Sequence, residues 1–286
     1  QRRNLPMKLL LFDDYKLGVL SGDQVIDASA ATAGLGHHSP QEMMQMIITG
    51  WDEMQARIAD AVAGQSGVPV DSVRIRPPLP RPGQLMCMAG NYLEPRKPER
   101  GEFNGFLKSP NSVIGHLETV ELCPAEASVF HFEPELAIVI GKTASRIAPE
   151  EAMDCVFGYT QFIDVSSRGL PGGFFLGKSW HTFGPLGPFL VTKDEVPNAN
   201  ALPVKLWVND ELRHDFSTAE MDRHIPELLA ELSNVLPLQP GDVVPTGTHH
   251  HGLAPVQDGD TVRLEIGGLG APLQVTCHDP LGRNWR

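Results

Sequence analysis

Residues 132–141 read FEPELAIVIG, and residues 158–168 read GYTQFIDVSSR. Each stretch contains a run of apolar residues that predicts a β-strand. From Leu85 onward the chain continues as short apolar runs of this kind, separated by glycine and proline turns. This pattern favours a barrel-like or rolled antiparallel sheet over alternating strands and helices, so the predicted fold class is α+β, mainly β.

The first part of the chain predicts a smaller unit. Residues 7–29 contain three short strands, and residues 39–63 are predicted to form one helix, because the sequence SPQE at its start is a capping box with proline at the first helical position. The sequence RPPLPRPG at 76–83 is typical of a linker. We therefore place a small N-terminal α+β domain at residues 1–78 and a larger domain at residues 79–286.

One helix is predicted inside the larger domain. The sequence STAE at 217–220 is a capping box, and the residues that follow carry an apolar face up to Leu236, directly before Pro237. Its role is predicted to be structural.

The charge of the chain limits its partners. The 23 basic and 35 acidic side chains give a formal net charge of −12. Because an acidic surface repels phosphate backbones and anionic lipid heads, we expect no nucleic-acid and no membrane partner. No run of 18 apolar residues is present that would predict a membrane span. An anionic ligand would then need a local positive centre, such as a metal ion or a buried lysine.

The cysteines indicate a reducing compartment. Cys87, Cys123, Cys155 and Cys277 lie far apart and form no CxxC or CxxH pattern, so a structural zinc site is not predicted. The short apolar run near the N-terminus is interrupted early by acidic residues, unlike a signal peptide. We expect buried, reduced thiols and a cytoplasmic location.

Three acidic side chains predict a metal site. Glu133 and Glu135 are two residues apart at the start of an apolar strand, so both project from the same face. Two neighbouring carboxylates repel each other unless a cation or a shared proton lies between them, and a hard divalent ion prefers such oxygen ligands. Asp164 is embedded in a second apolar strand, where an acid is costly to bury unless it is paired. The alternatives are a solvated strand face for the glutamates and a structural, turn-bonded role for Asp164.

Two further segments are candidates for ligand contact. Lys178 lies in the glycine-rich sequence LGKSWHTFGPLGPF, where it would fix a carboxylate or polarise a carbonyl. Thr246, Gly247 and Thr248 end a strand and offer hydroxyl and N–H groups. A surface lysine in a loop and a purely structural turn are the alternatives.

Taken together, these segments resemble the fumarylacetoacetate hydrolase family. The resemblance covers roughly residues 83–276 and rests on motifs in register: AGNY (89–92), FLKSPNSVIG (106–115), FEPELAIVIG (132–141), GYTQFIDVSSR (158–168), GKSWHTFGPLGPFLVT (177–192), STAEM (217–221) and LQPGDVVPTGT (238–248).

The resemblance implies a β-roll catalytic domain at residues 79–286 and a homodimer. It implies that Glu133, Glu135 and Asp164 bind Mg²⁺, with Mn²⁺ or Ca²⁺ possible, and that the metal chelates a small 2-oxo or β-diketo acid. The other site residues that we assign from it are the catalytic candidates Lys178, His181 and Thr248 and the substrate-binding candidates Tyr92, Lys108 and Arg168.

The function that the resemblance implies is hydrolysis of a C–C bond in a β-diketo or acylpyruvate-type acid, in the catabolism of aromatic compounds. The alternative is an isomerase, hydratase or decarboxylase that acts on a 2-oxo acid through a metal-bound enolate. A degenerate homologue that binds a metabolite without catalysis is a third hypothesis. The complete acidic triad and Lys178 argue against this third hypothesis.

The sequence departs from the family where water is activated. Pro95 stands where a histidine is expected soon after Asn-Tyr, and the short segment that follows carries Arg96, Lys97 and Arg100, which would either steer an anion or form a solvated loop. His181 replaces an acid that is frequent in the family, and residues 249–251 are all histidine. Either His181 or one of these three is a candidate for the base, and an exposed loop is the alternative for residues 249–251. His131 is predicted to be a supporting or structural histidine.

Overall fold

The computed structural model of the protein describes residues 7–94 and 99–285. Pro95, Arg96 and Lys97 lie outside the described residues. The strands are β1 (Lys8–Phe12), β2 (Lys16–Ser21), β3 (Gln24–Asp27), β4 (Val68–Pro69), β5 (Ile75–Arg76), β6 (Leu85–Met88), β7 (Gly105–Lys108), β8 (Val113–Ile114), β9 (Thr119–Glu121), β10 (Val129–Ile140), β11 (Val156–Arg168), β12 (Gly184–Thr192), β13 (Pro203–Val208), β14 (Glu211–Ser217), β15 (Val243–Pro245), β16 (Thr261–Ile266) and β17 (Leu273–His278). The α-helices are α1 (Pro40–Thr49), α2 (Trp51–Val62), α3 (Ala152–Cys155), α4 (Gly173–Lys178) and α5 (Ile225–Val235).

A large sheet organises the molecule. Its strands follow the order β4-β3-β2-β1-β12-β11-β10-β15-β6-β7, with β5 beside β1 and β8 beside β12. The long antiparallel pair β10 and β11 lies in the middle and is buried along nearly its whole length. Strand β15 covers the outer edge of β10 at residues 137–139, and β12 covers part of the outer edge of β11. Most of the polar side chains of the pair lie inside the protein.

A second sheet of strands packs beside the first in the order β14-β13-β16-β17-β9. The side chain of Gln161 on β11 links the two sheets: its amide nitrogen donates to Ala271 O (2.8 Å), and its amide oxygen accepts from Ile266 N–H (3.0 Å). Most strand pairs are antiparallel, as predicted, whereas β8/β12, β6/β15 and β9/β17 are parallel. The predicted mainly β, rolled fold is confirmed.

The N-terminal strands continue the large sheet. Strand β1 pairs antiparallel with β12, with Lys8 opposite Val191 and Leu9 opposite Leu190. The proposed small N-terminal domain therefore shares its sheet with the rest of the chain, and the division at residue 78 stays a prediction.

The predicted helix at 39–63 is wrong as a single element, because it is divided at Gly50. Helix α1 ends at Thr49 with Gly50 as its C-cap, and α2 begins at Trp51. Glycine loses more conformational freedom in a helix than other residues do, so a break at this position costs little. The predicted start is confirmed: the Ser39 hydroxyl accepts a hydrogen bond from Glu42 N–H.

The helix predicted from 217 starts later than expected. The capping box at residues 217–220 closes a single 3₁₀ turn, Thr218–Glu220, and α5 begins at Ile225. Pro226 is the reason, because proline has no N–H and its ring clashes with the carbonyl four residues earlier, so it is tolerated only in a first turn.

None of the helices in the described ranges is long and apolar enough to cross a membrane. All four cysteines are buried, and none forms a disulfide.

Candidate metal and substrate site

The three predicted metal-binding carboxylates converge on one point. Glu133 and Glu135 lie on the same face of β10, and Asp164 on β11 is directly opposite Glu133. One carboxylate oxygen from each residue lies within 4.8 Å of the others, and all three side chains are buried. The i, i+2 spacing within one strand and the register between two strands together create this cluster.

Three cationic side chains surround the cluster. Lys178 Nζ donates to Glu133 Oε2 at 2.8 Å and also contacts Asp164 Oδ2, while Lys108 Nζ donates to Asp164 Oδ1 at 2.6 Å. Arg168 on β11 forms an ion pair with Glu133 Oε1. Both lysines are buried, so the two carboxylates that they contact are strongly paired.

The pKa values of Glu133 and Glu135 are shifted in opposite directions. Burial alone would raise the pKa of Glu133, but Lys178 and then Arg168 lower it to about 2. For the lysine the signs are reversed. Burial alone would lower the pKa of Lys178, but the negative charges of Asp164 and Glu133 raise it above its ordinary value. For Glu135, burial and the charges of Asp164 and Glu133 all raise the pKa well above the ordinary range.

A divalent cation fits this arrangement. Glu135 accepts a hydrogen bond from Gly247 N–H at 2.7 Å, but no cationic side chain among the described residues pairs with it. A buried carboxylate that lacks such a partner ionises only if positive charge is supplied. The donor set is three carboxylates, which suits a hard oxygen-binding ion such as Mg²⁺, Mn²⁺ or Ca²⁺.

The local structure explains why Lys178 reaches the cluster. Lys178 is the last residue of α4 and is buried, not the exposed loop lysine of the alternative interpretation. The hydroxyl of Ser167 on β11 donates to Leu176 O (2.9 Å) and Gly177 O (3.2 Å), which fixes the end of this short helix against the strand.

The segment after β15 forms one wall of the site. Thr248 is buried, and its hydroxyl has no hydrogen-bond partner within residues 7–94 and 99–285. Asn91 holds the wall in place, because its side-chain amide donates to Thr246 O at 3.0 Å. Tyr92 is also buried beside Glu135, and burial raises the pKa of its phenol. A buried hydroxyl without a partner is costly, so Thr248 is suited to bind a ligand.

The remaining predicted site residues are placed differently. His181 is exposed and makes no hydrogen bond or ion pair with the described part of the chain, so it does not join the cluster. His131 accepts a hydrogen bond from Arg168 Nε on its Nδ1 at 3.3 Å, which agrees with a supporting role.

Sequence reasoning missed two polar contacts at the site. The Ser166 hydroxyl donates to Glu133 Oε1 at 3.0 Å. Glu94 bonds His250, one of the three consecutive histidines. The i, i+2 spacing of Asp164 and Ser166 was a signal for the first contact, whereas no local signal joins residues 94 and 250.

Comparison with known proteins agrees with the fold. The family model for the C-terminal domain of fumarylacetoacetate (FAA) hydrolase matches residues 86–275. A maleylpyruvate hydrolase of Aquipseudomonas alcaligenes is 33% identical over 281 residues, which cover 92% of this chain and 97% of that protein. The chain therefore belongs to the fumarylacetoacetate hydrolase family, as its sequence motifs predict.

Two further relatives broaden the comparison. The oxaloacetate tautomerase YisK of Bacillus subtilis (strain 168) is 36% identical over 217 residues, covering 70% of this chain and 72% of that protein. The crystal structure of maleylpyruvate hydrolase from Sphingobium sp. SYK-6 in complex with manganese (II) ion and pyruvate has a TM-score of 0.87 and 34% identity. It covers 96% of this chain and 99% of that one.

Proposed function

We propose that the protein is a divalent-metal-dependent hydrolase that cleaves the C–C bond of an acylpyruvate-type acid. The observation that carries this proposal is the convergence of three buried carboxylates, one of them without a cationic partner in the described structure, beside two buried lysines. Maleylpyruvate, named for two relatives, belongs to this class of substrate.

We assign Glu133, Glu135 and Asp164 as the residues that hold the ion, Mg²⁺ in the first instance, with Mn²⁺ or Ca²⁺ as substitutes. An ion bound there would polarise the adjacent oxygens of a 2-oxo acid and so favour negative charge on its carbonyl oxygen. The manganese in the related maleylpyruvate hydrolase supports a divalent ion of this kind.

We assign the surrounding residues to the substrate. Lys178 and Arg168 place positive charge beside the cluster, where an anionic acid would otherwise be repelled by the overall negative charge of the protein. The unpartnered hydroxyl of Thr248 and the buried phenol of Tyr92 are available to orient its oxygens. Lys108, which the family resemblance assigns to substrate binding, is assigned instead to hold Asp164, because its Nζ donates to Asp164 Oδ1.

Tautomerisation of a 2-oxo acid is the second candidate function. It is favoured by the relative whose name is oxaloacetate tautomerase. It requires the same charged cluster and a proton donor, but no attacking water. Hydrolysis consumes water and releases two acids, whereas tautomerisation changes the enol absorbance and releases nothing.

The test combines metal binding with product analysis. The protein, stripped of metal and then supplied with Mn²⁺ or Mg²⁺, is incubated with an acylpyruvate and, separately, with oxaloacetate. We expect pyruvate and a second acid from the acylpyruvate in stoichiometric amounts. Loss of enol absorbance without a second acid would support tautomerisation instead, and inertness toward both compounds with metal bound would contradict both functions.

Replacing Glu135 tests the metal site directly. We expect Glu135→Gln to weaken Mn²⁺ binding, measured by calorimetry, by more than the roughly 10- to 100-fold typical of losing an outer-shell partner. Activity should fall in parallel. Glu53→Gln is the matched control, because the Glu53 side chain is 80% exposed on α2. Unchanged Mn²⁺ affinity in Glu135→Gln would show that the cluster is an ion-pair network only.

We also propose a homodimer in the cytoplasm, which the family resemblance and the four unpaired cysteines support. The exposed aromatic rings of Phe174 and Phe175 on α4 and the exposed Leu107 on β7 are apolar surface that a second copy would cover. Sedimentation analysis tests this proposal, and a monomer at micromolar concentration would contradict it.

A further inference from the structure

His250 and Glu94 form a hydrogen-bonded pair between the segment that follows β15 and the residues that follow Tyr92. His250 Nδ1 lies 2.8 Å from Glu94 Oε1, and the backbone N–H of His250 donates to the same oxygen, also at 2.8 Å. Although burial raises the pKa of Glu94, these two hydrogen bonds lower it below its ordinary value. Glu94 is therefore an acceptor, and the proton of a neutral His250 lies on Nδ1.

The backbone of residues 247–252 holds His250 near the cluster. At one end, Gly247 N–H is bonded to Glu135. At the other end, Gly252 has a φ of +106°, and a Cβ atom there would lie 2.0 Å from Arg213 O. His250 is thus three residues from a direct contact with the cluster, on a segment that is fixed at both ends.

The environment of His250 suits proton transfer. Its side chain is 44% exposed, so water reaches it, while the Glu94 side chain is only 15% exposed. With Nδ1 bonded to Glu94, the lone pair of Nε2 is left for another partner.

The other candidate histidines lack this combination. The ring of His249 is buried and stacks on Phe216, with centroids 5.8 Å apart. His251 uses its backbone N–H to bond His249 Nδ1, and the described residues provide no carboxylate partner for its ring. His181 has no bonded partner in residues 7–94 and 99–285.

We infer that His250 is the catalytic base of the proposed hydrolysis and that Glu94 is its positioning residue. The inference rests on the proposed function. The pair joins the residues that follow Tyr92 to the residues that follow Thr248, and Tyr92 and Thr248 are both buried site candidates. It thus provides a base although Pro95 occupies the position where a histidine is expected.

The proton and electron pairs balance in this step. His250 Nε2 takes a proton from water, and the water oxygen bonds to the acyl carbon of the acylpyruvate. The bond between that carbon and C3 of the pyruvyl part breaks, and its electron pair leaves on the pyruvyl fragment as an enolate. The imidazolium then gives its proton to C3, so the products are one carboxylic acid and pyruvate, and His250 is neutral again.

The variants His250→Gln and Glu94→Gln test the pair. We expect His250→Gln to lower kcat by roughly 100-fold or more, as for loss of a general base, with Mn²⁺ affinity and KM within about twofold of wild type. Glu94→Gln should lower kcat by about tenfold or more and move the acid limb of the pH profile to lower pH, because the carboxylate no longer stabilises the imidazolium. Glu94→Asp should recover part of the rate.

The matched control is a second histidine–carboxylate pair outside the site. His278 Nδ1 lies 3.0 Å from Asp258 Oδ1, and both side chains are exposed. His278→Gln and Asp258→Asn should leave kcat and the pH profile unchanged.

The possible failures are distinguishable. A wild-type protein that binds Mn²⁺ but cleaves no acylpyruvate would overturn the proposed function and the role of the pair with it. If the wild type is active and His250→Gln keeps the wild-type kcat, the roles of His250 and Glu94 are overturned, whereas the proposed function stands. An unshifted pH profile in Glu94→Gln would show that Glu94 does not act through His250.

Discussion

At the scale of the residue, the site depends on charges that are buried in pairs. Lys108 is almost completely inaccessible, and its ammonium donates to Asp164 Oδ1 and Val165 O inside the protein. Removing one member of a buried pair leaves the other charge uncompensated, which costs much more than removing an exposed pair. The two lysines therefore stabilise the fold as well as shape the site.

We expect Lys108→Met to lower the free energy of unfolding by about 3–5 kcal/mol, measured by urea denaturation. Saturating Mn²⁺ should restore part of this loss, because a cation on Asp164 replaces the missing charge. Lys205→Met is the control, since Lys205 and Asp215 form an exposed pair worth less than about 1 kcal/mol. Equal losses in the two variants would show that burial does not govern the pairing.

At the scale of the element, the segment between Gly247 and Gly252 decides the position of His250. Both glycines have positive φ values, 86° and 106°. A side chain at Gly252 meets the backbone of β14, which cannot yield as a flexible side chain would. The backbone at residue 252 therefore lies against β14, and glycine is the residue that permits this close approach.

We expect Gly252→Ala to displace this segment and to cost about 1–3 kcal/mol of stability, with a larger effect on kcat than on Mn²⁺ affinity. Gly259→Ala provides the comparison, because Gly259 also has a positive φ, 79°, but nothing lies within 4 Å of its added Cβ. The free energy of unfolding, kcat and Mn²⁺ affinity are measured for both variants and compared with those of the wild type. A Gly252→Ala protein with wild-type kcat would mean that the segment tolerates the shift.

At the scale of the whole molecule, a buried histidine links stability to pH. His214 on β14 is 1% exposed, and burial, aided by the positive charges of His249 and His250, lowers its pKa from 6.5 to about 4. The unfolded chain thus binds a proton between these values that the folded protein does not bind. Stability from this group is complete above about pH 6.5 and is lost as the pH falls toward 4.

The loss amounts to at most about 3 kcal/mol between pH 7.5 and pH 4. It is measured as the change in unfolding free energy with pH, and the wild type is compared with His214→Gln, in which this contribution is absent. We expect a shallower decrease in the variant. Parallel curves for the two proteins would show that His214 titrates alike in both states.

Much of the fold followed from local properties of the sequence. The short apolar runs between turns, the capping box at Ser39 and the spacing of Glu133 and Glu135 each involve neighbouring residues, so the strands, the start of α1 and two of the three acids were predictable. The late start of α5 also has a local cause, Pro226. The prediction was wrong because it placed the helix start at the capping box at 217–220.

What only the tertiary structure decided is which distant segments meet. Strand order joins β1 to β12, brings Lys108 and Lys178 onto Asp164 from two sides, and places Glu94 against His250, 156 residues further along the chain. No sequence periodicity predicts these long-range contacts, because each depends on how all the intervening strands pack together. The sequence by itself determined the acids and the family. The sheet determined the partners of those acids, because a buried charge is costly unless an opposite charge is packed against it.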